Sequence, residues 1–349
     1  MKLFDHTGVI HFHSSHSFDG RVTVPEIINE AVRNGLDFLM LTDHSTLAAK
    51  DREGWHGTVL LIVGHEISPR FNHYLAFNVE DPFIVEEDEE VPPQAYIDYV
   101  NDKGGFGFIA HPDHEGTEMF HVKHFPWIDW SVTGIGGMGI WDFMTDWQST
   151  LTSYPRALFS FLFPAHVLKG PKETTLRRWD AMTRTGKVPG IGELDNHETL
   201  FPIAGLHLKA LSFRRAFKLI HTHIVTESPL TGDSATDVDL LLQALKGGRA
   251  YIAMEYFRSA KGFSFTITDG KQVATMGDDF RMQGETLLRV TVPVRGNIRI
   301  IRDGILIHAG TGTDLTMPLR DRGTYRVEVY LRTFLGTRPW IFSNPVYVT

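Results

Sequence analysis

The chain of 349 residues contains no cysteine. Disulfides, thiolate metal sites and cysteine-nucleophile chemistry are thereby excluded, so any metal must be held by nitrogen and oxygen. Long apolar runs are also missing. No stretch of 18 apolar residues occurs, and no membrane span or membrane partner is expected. The chain does not open on a charged segment followed by an apolar one, and its histidines begin almost at once. This leaves no room for a removed leader and predicts a cytoplasmic protein. Positive charge is short as well: the net charge is −8. Phosphate-backbone binding needs a basic face, so nucleic acid is not expected as the main partner. Histidine, by contrast, is plentiful, with eighteen in the chain.

The first part alternates apolar runs with helical patterns. "GVIHFH", "LDFLMLTDH", "TVLLIVGHEI", "NHYLAFNV" and "FGFIAH" read as strands. "VPEIINEAVRNG" and "PQAYIDYVNDKGG" read as helices, the first with Pro25 near its start and Gly35 as its stop. Helices are also expected around Arg156–Leu168 and Thr174–Gly186, before a strand in "VPGIGELDNH". Strands alternating with helices over short links imply a parallel sheet or barrel. After Arg258 the pattern changes to strand-like pieces in series, from "GFSFTIT" to "RPWIFSNPVYV". Period-two alternation with Gly and Asp turns suggests an antiparallel sandwich. The expected domains are therefore 1–258, α/β, and 259–349, all-β. The acidic run Glu86–Glu90 reads as a solvated loop.

Chemistry-bearing residues recur at the strand ends. His11 and His13 stand at i, i+2, a spacing that aims two imidazoles to one side of a strand. His44 ends "LMLTDH", Glu66 ends "LLIVGHE", His111 ends "FGFIAH", and Asp195 and His197 end "GELDNH". Functional groups of α/β barrels gather at the C-terminal ends of the strands. Satisfied polar termini would explain one or two such ends but not the set, which points to a multinuclear metal site.

Together "HFHSSHSFDG", "LTDHS", "GHE", "IAHP" and "GELDNH" resemble the successive motifs of the PHP (polymerase and histidinol phosphatase) superfamily. The resemblance implies a distorted (β/α)7 barrel with two or three divalent metal ions. By that resemblance His11, His13 and Asp195 hold one metal, and Glu66 bridges to a second completed by His73 and His111. Asp19, His44 and His197 hold a third. Phe18 interrupts the usual Ser-Asp-Gly of the first motif, which leaves His16 as an alternative to Asp19, and Leu194 stands where a small residue is usual. The strand-rich C-terminus resembles the branch that includes carbaryl hydrolase-type enzymes.

Nitrogen and oxygen ligands suit Mn, Fe or Zn. Two carboxylate-bridged ions stand roughly 3.5–4 Å apart, and a metal-bound hydroxide between them is the expected nucleophile. No G-x-S-x-G elbow offers another. Asp43, His65 and His114 are candidates for orienting ligands or moving protons, with structural roles as the alternative.

Other features draw blander readings. "GIGGMG" lacks the strand and helix context of a dinucleotide site. "HTHIV", His221 to Val225, reads as a structural pair. His121, His124, His166 and His207 read as surface or packing, and Arg177–Arg178 and Arg214–Arg215 as solvated helix faces.

The leading expectation is a metal-dependent phosphoesterase acting on a small-molecule phosphate ester. Ester, amide or carbamate hydrolysis is the alternative, with aromatics between Phe120 and Phe163 lining an apolar pocket. A non-catalytic binding protein with a metal-stabilised barrel is the third. The sequence does not give the oligomeric state.

Overall fold

In a computed structural model the chain is described for residues 2–349, except 87, 199, 204, 205, 210 and 335, and except the side chains of 200–203 and 206–209. Strands β1 (Phe4–Ile10), β2 (Phe38–His44) and β3 (Val59–Ile67) run parallel, with Gly8 opposite Phe38 and His44 opposite Glu66. All nine residues of β3 are buried, which is why its sequence is a continuous apolar run rather than an alternating one. Helix α1 (Val24–Asn34) makes the first crossover. Glu26 reaches back to the Thr23 N–H at 3.1 Å, and Gly35 ends the helix in the left-handed region at φ 69°.

Strand β4 (Tyr74–Phe77) is antiparallel to β3 and to β5 (Phe106–Ile109). The expectation of a parallel sheet or barrel is corrected here for one strand. The link from β3 to β4 is too short for a crossover and permits only a hairpin-like return. Helix α2 (Pro93–Asp102) precedes β5, and β6 (Gly137–Asp142) and β7 (Gly190–Glu193) continue in parallel, with helix α3 (Glu173–Thr183) between them. Beyond β7 the chain returns to the end of β1. Leu194 N–H donates to Ile10 O (3.1 Å), Asp195 N–H to His11 O (2.8 Å) and His13 N–H to Asn196 O (3.0 Å).

On its other edge β1 pairs antiparallel with β8 (Ile220–Thr226), and β8 with β9 (Ala250–Met254) after helix α4 (Ser234–Lys246). After β10 (Ser264–Thr268), β11 (Thr286–Arg302) and β12 (Ile305–Leu319) form a long antiparallel pair. "TLLRVTVPV" and "IRIIRDG", which read as two strands, are one. The register breaks between Thr291 and Gly296, so Pro293 sits where no ladder bond is lost. Strand β13 (Gly323–Thr333) pairs with β11, and β14 (Gly336–Ser343) pairs with β13 and with β9. One sheet thus runs through the 258/259 junction into the C-terminal strands.

The described buried apolar residues form three clusters: a large one in the N-terminal part, a second drawn mainly from strands β1 to β5 and helix α4, and a third drawn from 225–348. They are tied by polar contacts. Arg326 on β13 is buried and grips Asp180 on α3 through two bonds of 2.7 and 2.8 Å. Asn344 bridges Gly190 and Ala250. Among the described residues no helix is long and apolar enough to cross a membrane.

Candidate metal centre

Glu66 organises the centre. It is 1% exposed, and imidazole nitrogens surround it on both oxygens. Oε2 lies 3.2 Å from His11 Nε2, 3.3 Å from His13 Nε2 and 3.2 Å from His44 Nδ1. Oε1 lies 2.7 Å from His73 Nδ1 and 3.3 Å from His111 Nε2. Burial alone would raise this carboxyl, yet His44, His11 and His73 hold it well below the usual range. Asp195 is held low against its own burial by His11, His13 and His197.

Three groups of side chains each bring ligand atoms within 4.8 Å of one another. They are His11, His13, Glu66 and Asp195; Glu66, His73 and His111; and His13, Asp19, His44 and His197. Asp19 meets the third group through Oδ2, 3.0 Å from His197 Nε2 and 3.2 Å from His44 Nε2. His16, the alternative, is exposed and belongs to none of them. His13 stands in two groups, whereas the resemblance read from the sequence assigns it to one metal.

These residues fit divalent cations on two grounds. First, buried atoms are left bare: His13 Nε2 and Asp19 Oδ1 have no hydrogen-bond partner. Burial, with the neighbouring His197 and His44, pushes the His13 imidazole down to about 3, so it carries a lone pair rather than a second proton. Second, outward nitrogens are already committed. His11 Nδ1 donates to Glu193 (3.0 Å), His73 Nε2 to Pro69 O (2.9 Å) and His197 Nδ1 to Asp195 O (3.1 Å). With the outward nitrogens so held, the inward nitrogens are the ones a cation would take in place of a proton, the arrangement by which outer partners fix metal-binding histidines.

The local backbone is bent to achieve this. The spacing argument places His11 and His13 on a strand, but β1 ends at Ile10, and His11 takes the left-handed region at φ 67°. His111 (φ 27°) and Asp195 (φ 50°) also lie at positive φ just beyond their strands. Such residues cost roughly 1–3 kcal/mol each and persist where surrounding structure over-determines them. The i, i+2 reading therefore finds the pair for an incomplete reason.

No family model and no curated protein matches the chain. Solved structures do match. A provisionally named metal-dependent phosphoesterase from Bifidobacterium adolescentis ATCC 15703 is 14% identical, covering 54% of this chain and 87% of that one, at a TM-score of 0.36. Endonuclease Q, in complex with a 27-mer duplex carrying an abasic lesion at the active site, is 11% identical over 70% of this chain and 57% of that one, at 0.40. The PmoD soluble domain from Methylocystis sp. ATCC 49242 (Rockwell) is 14% identical over 24% of this chain and 90% of that one, at 0.20. Likeness at these levels decides no activity, and none of the three supports the carbaryl-hydrolase branch.

One expectation is withdrawn. Nucleic acid is not excluded as a partner, since endonuclease Q holds a DNA duplex. The exclusion rested on a net charge averaged over the whole chain. Residues 259–349 alone carry twelve Lys and Arg against eight Asp and Glu.

The centre opens into a cavity of about 350 Å³. Its outer wall is apolar: Phe18, Phe120, Val122, Phe125 and Met144, with no Lys or Arg among the described lining residues. His114 also lines it. Its Nδ1 accepts the Phe125 N–H at 3.2 Å, and burial, then the neighbouring His111, pushes its imidazole down to about 3. It is thus a neutral ring with its proton on Nε2.

Asp43 and His65 lie away from this cavity. Asp43 anchors the loop after β1, accepting from the Ser14 N–H (2.6 Å) and hydroxyl (2.7 Å). His65 accepts the Phe83 N–H at 3.1 Å. His121 and His124 are exposed, His166 packs between Phe163 and Phe257, and the His207 side chain lies outside the described residues. None of the four arginines of the two pairs lines the cavity. Gly137 and Gly139 of "GIGGMG" allow close packing: a Cβ on Gly139 would stand 1.4 Å from Glu193 Oε1.

Glu193 is the residue the sequence reading missed. Fully buried, it orients His11 and accepts the His111 N–H at 3.0 Å. Its position two residues before Asp195 repeats the i, i+2 signal already noted for Asp195 and His197.

Proposed function

We propose that the chain is a metal-dependent hydrolase of phosphoesters. The observation that carries the reading is one buried carboxylate, Glu66, facing five imidazoles at the base of a cavity. On this reading the seven strands β1 to β7 form a distorted (β/α)7 barrel, and residues 259–349 a sandwich-like domain joined to it through β9 and β14. His11, His13, Glu66 and Asp195 hold one cation, Glu66, His73 and His111 a second, and His13, Asp19, His44 and His197 a third. Mn, Fe and Zn suit such donors. When bound, the ions supply a water-derived nucleophile at neutral pH and positive charge opposite the reacting oxyanion.

The chain's own residues do the rest. Glu193 keeps His11 in one tautomer, and Ser68, 2.7 Å from His44 Nδ1, holds that ring. His114 offers its Nε2 proton as a hydrogen bond to the leaving oxygen. Phe18, Phe120 and Phe125 hold the organic part of the ester and exclude water from it.

The same apolar wall favours a second reading. With no Lys or Arg among the described lining residues, an uncharged ester, amide or carbamate also fits, its carbonyl oxygen taking the place of the phosphoryl oxygen. Rates on p-nitrophenyl phosphate, bis-p-nitrophenyl phosphate, an aryl carbamate and a DNA duplex containing an abasic lesion separate the readings. Turnover of either nitrophenyl phosphate or of the duplex, lost in Glu66→Ala, supports the first. Turnover of the carbamate alone replaces it with the second.

A further inference from the structure

A second cluster of histidine lies on β8, away from the Glu66 centre. His223 pairs in register with Thr7, four residues before His11 on β1, or about 13 Å at ~3.3 Å per residue. His221, His223 and Glu255 each bring a ligand atom within 4.8 Å of the others. His223 is fully buried and His221 5% exposed.

The hydrogen bonds fix the direction of each ring. His221 Nε2 lies 3.0 Å from Phe217 O, a group that can only accept, so that nitrogen carries the proton. Its Nδ1 is left as a lone pair, 3.0 Å from the Thr7 hydroxyl. His223 Nδ1 donates to Asp5 Oδ1 at 2.8 Å, and Asp5 Oδ2 is held by the Tyr251 hydroxyl at 2.6 Å. That leaves His223 Nε2 facing Glu255 Oε1 at 3.2 Å and Thr7 Oγ1 at 3.4 Å. A carbonyl behind one imidazole and a half-buried carboxylate behind the other are the outer partners that metal-binding histidines use. Ligand atoms about 2.0–2.1 Å from a tetrahedral zinc stand roughly 3.3 Å from one another. His223 Nε2 and Glu255 Oε1 stand 3.2 Å apart, near that value, and the Thr7 hydroxyl lies 3.0 Å from His221 Nδ1 and 3.4 Å from His223 Nε2.

Charge points the same way. Among the described residues the one cationic partner within ion-pair distance of Asp5 and Glu255 is His223 itself. A protonated His223 leaves this half-buried pair of carboxylates one negative charge in excess, with Lys261 acting on Asp5 from further off, whereas a divalent ion with two neutral imidazoles balances the pair.

We infer that His221, His223 and Glu255 form a separate zinc-type site, with the Thr7 hydroxyl beside its fourth position. The inference is independent of what the Glu66 centre does. It is tested on the full chain equilibrated with zinc and then freed of excess ion. Zinc retained by Glu66→Ala protein is expected to include one ion at this site, beside any held by the His13, Asp19, His44 and His197 group, which lacks Glu66. Adding His223→Gln to Glu66→Ala is expected to remove that ion. Wild-type crystals at the zinc edge provide a readout that needs no variant. An anomalous peak between His221, His223 and Glu255 is expected, and a featureless map there overturns the inference whatever the variants do.

Discussion

Glu193→Gln tests how the centre is held together. The substitution keeps the size of the side chain and an acceptor for the His11 Nδ1 proton at 3.0 Å, but removes the charge behind that ring. It also weakens the acceptor for the His111 N–H. Two ligands on different strands therefore lose part of their orientation at once. Outer partners of metal-binding histidines contribute about 10–100-fold in affinity. Glu193→Gln, which retains hydrogen bonding, should fall near tenfold, or about 1.4 kcal/mol. Glu193→Ala, which retains none, should fall near one hundredfold. Competition for Mn or Zn against a chromophoric chelator reads the affinity, and circular dichroism of the metal-free proteins checks that the fold is kept. Wild-type affinity in a folded Glu193→Ala protein would refute the assignment of Glu193 as the group that orients His11.

Chelation should destabilise the whole chain, because five imidazoles then face one carboxylate with only protons to share. An ion present at one hundred times its dissociation constant contributes about 2.7 kcal/mol. Melting curves with and without EDTA should differ accordingly, and coincident curves would speak against a bound ion. Arg326→Ala should cost about 3–5 kcal/mol, since it strands the largely buried Asp180 carboxylate without its partner. Urea unfolding measures this, and a loss under 1 kcal/mol would show that the pair adds little. Phe18 is 70% exposed and stacks on the His44 ring at 4.9 Å. Phe18→Ala should raise KM for aryl substrates about threefold to tenfold, the range of one aromatic contact, with metal content unchanged. An unchanged KM removes Phe18 from the substrate-binding wall.

Much of this was legible in the sequence because the strands are buried on both faces and their polar residues fall at the ends. "LLIVGHE" has no solvent-facing alternation, so Glu66 is conspicuous within it. "HTHIV" carries the same i, i+2 signal as "HFH", and its spacing alone could not reveal the carbonyl and carboxylate behind the two rings. The antiparallel turn at Tyr74–Phe77 was hidden because short apolar strands look alike in either direction. The strained conformations of His11, His111 and Asp195 leave no mark in residue type, since none of these positions is glycine. Glu193 was hidden for another reason. Its importance comes from what lies opposite, the bare backbone of Gly139 that leaves room for its carboxylate. The long strand β11 was divided on paper by Pro293 and Gly296, which the structure accommodates at a break in register.

The central claim is that a cation-loaded cluster around Glu66 carries out hydrolysis. Its most direct test is the rate of bis-p-nitrophenyl phosphate cleavage against added Mn, for wild-type and Glu66→Ala protein side by side. The account predicts turnover that appears with Mn, disappears with chelator, and is absent from a folded Glu66→Ala protein at every Mn concentration. Full turnover by metal-depleted Glu66→Ala protein would contradict it.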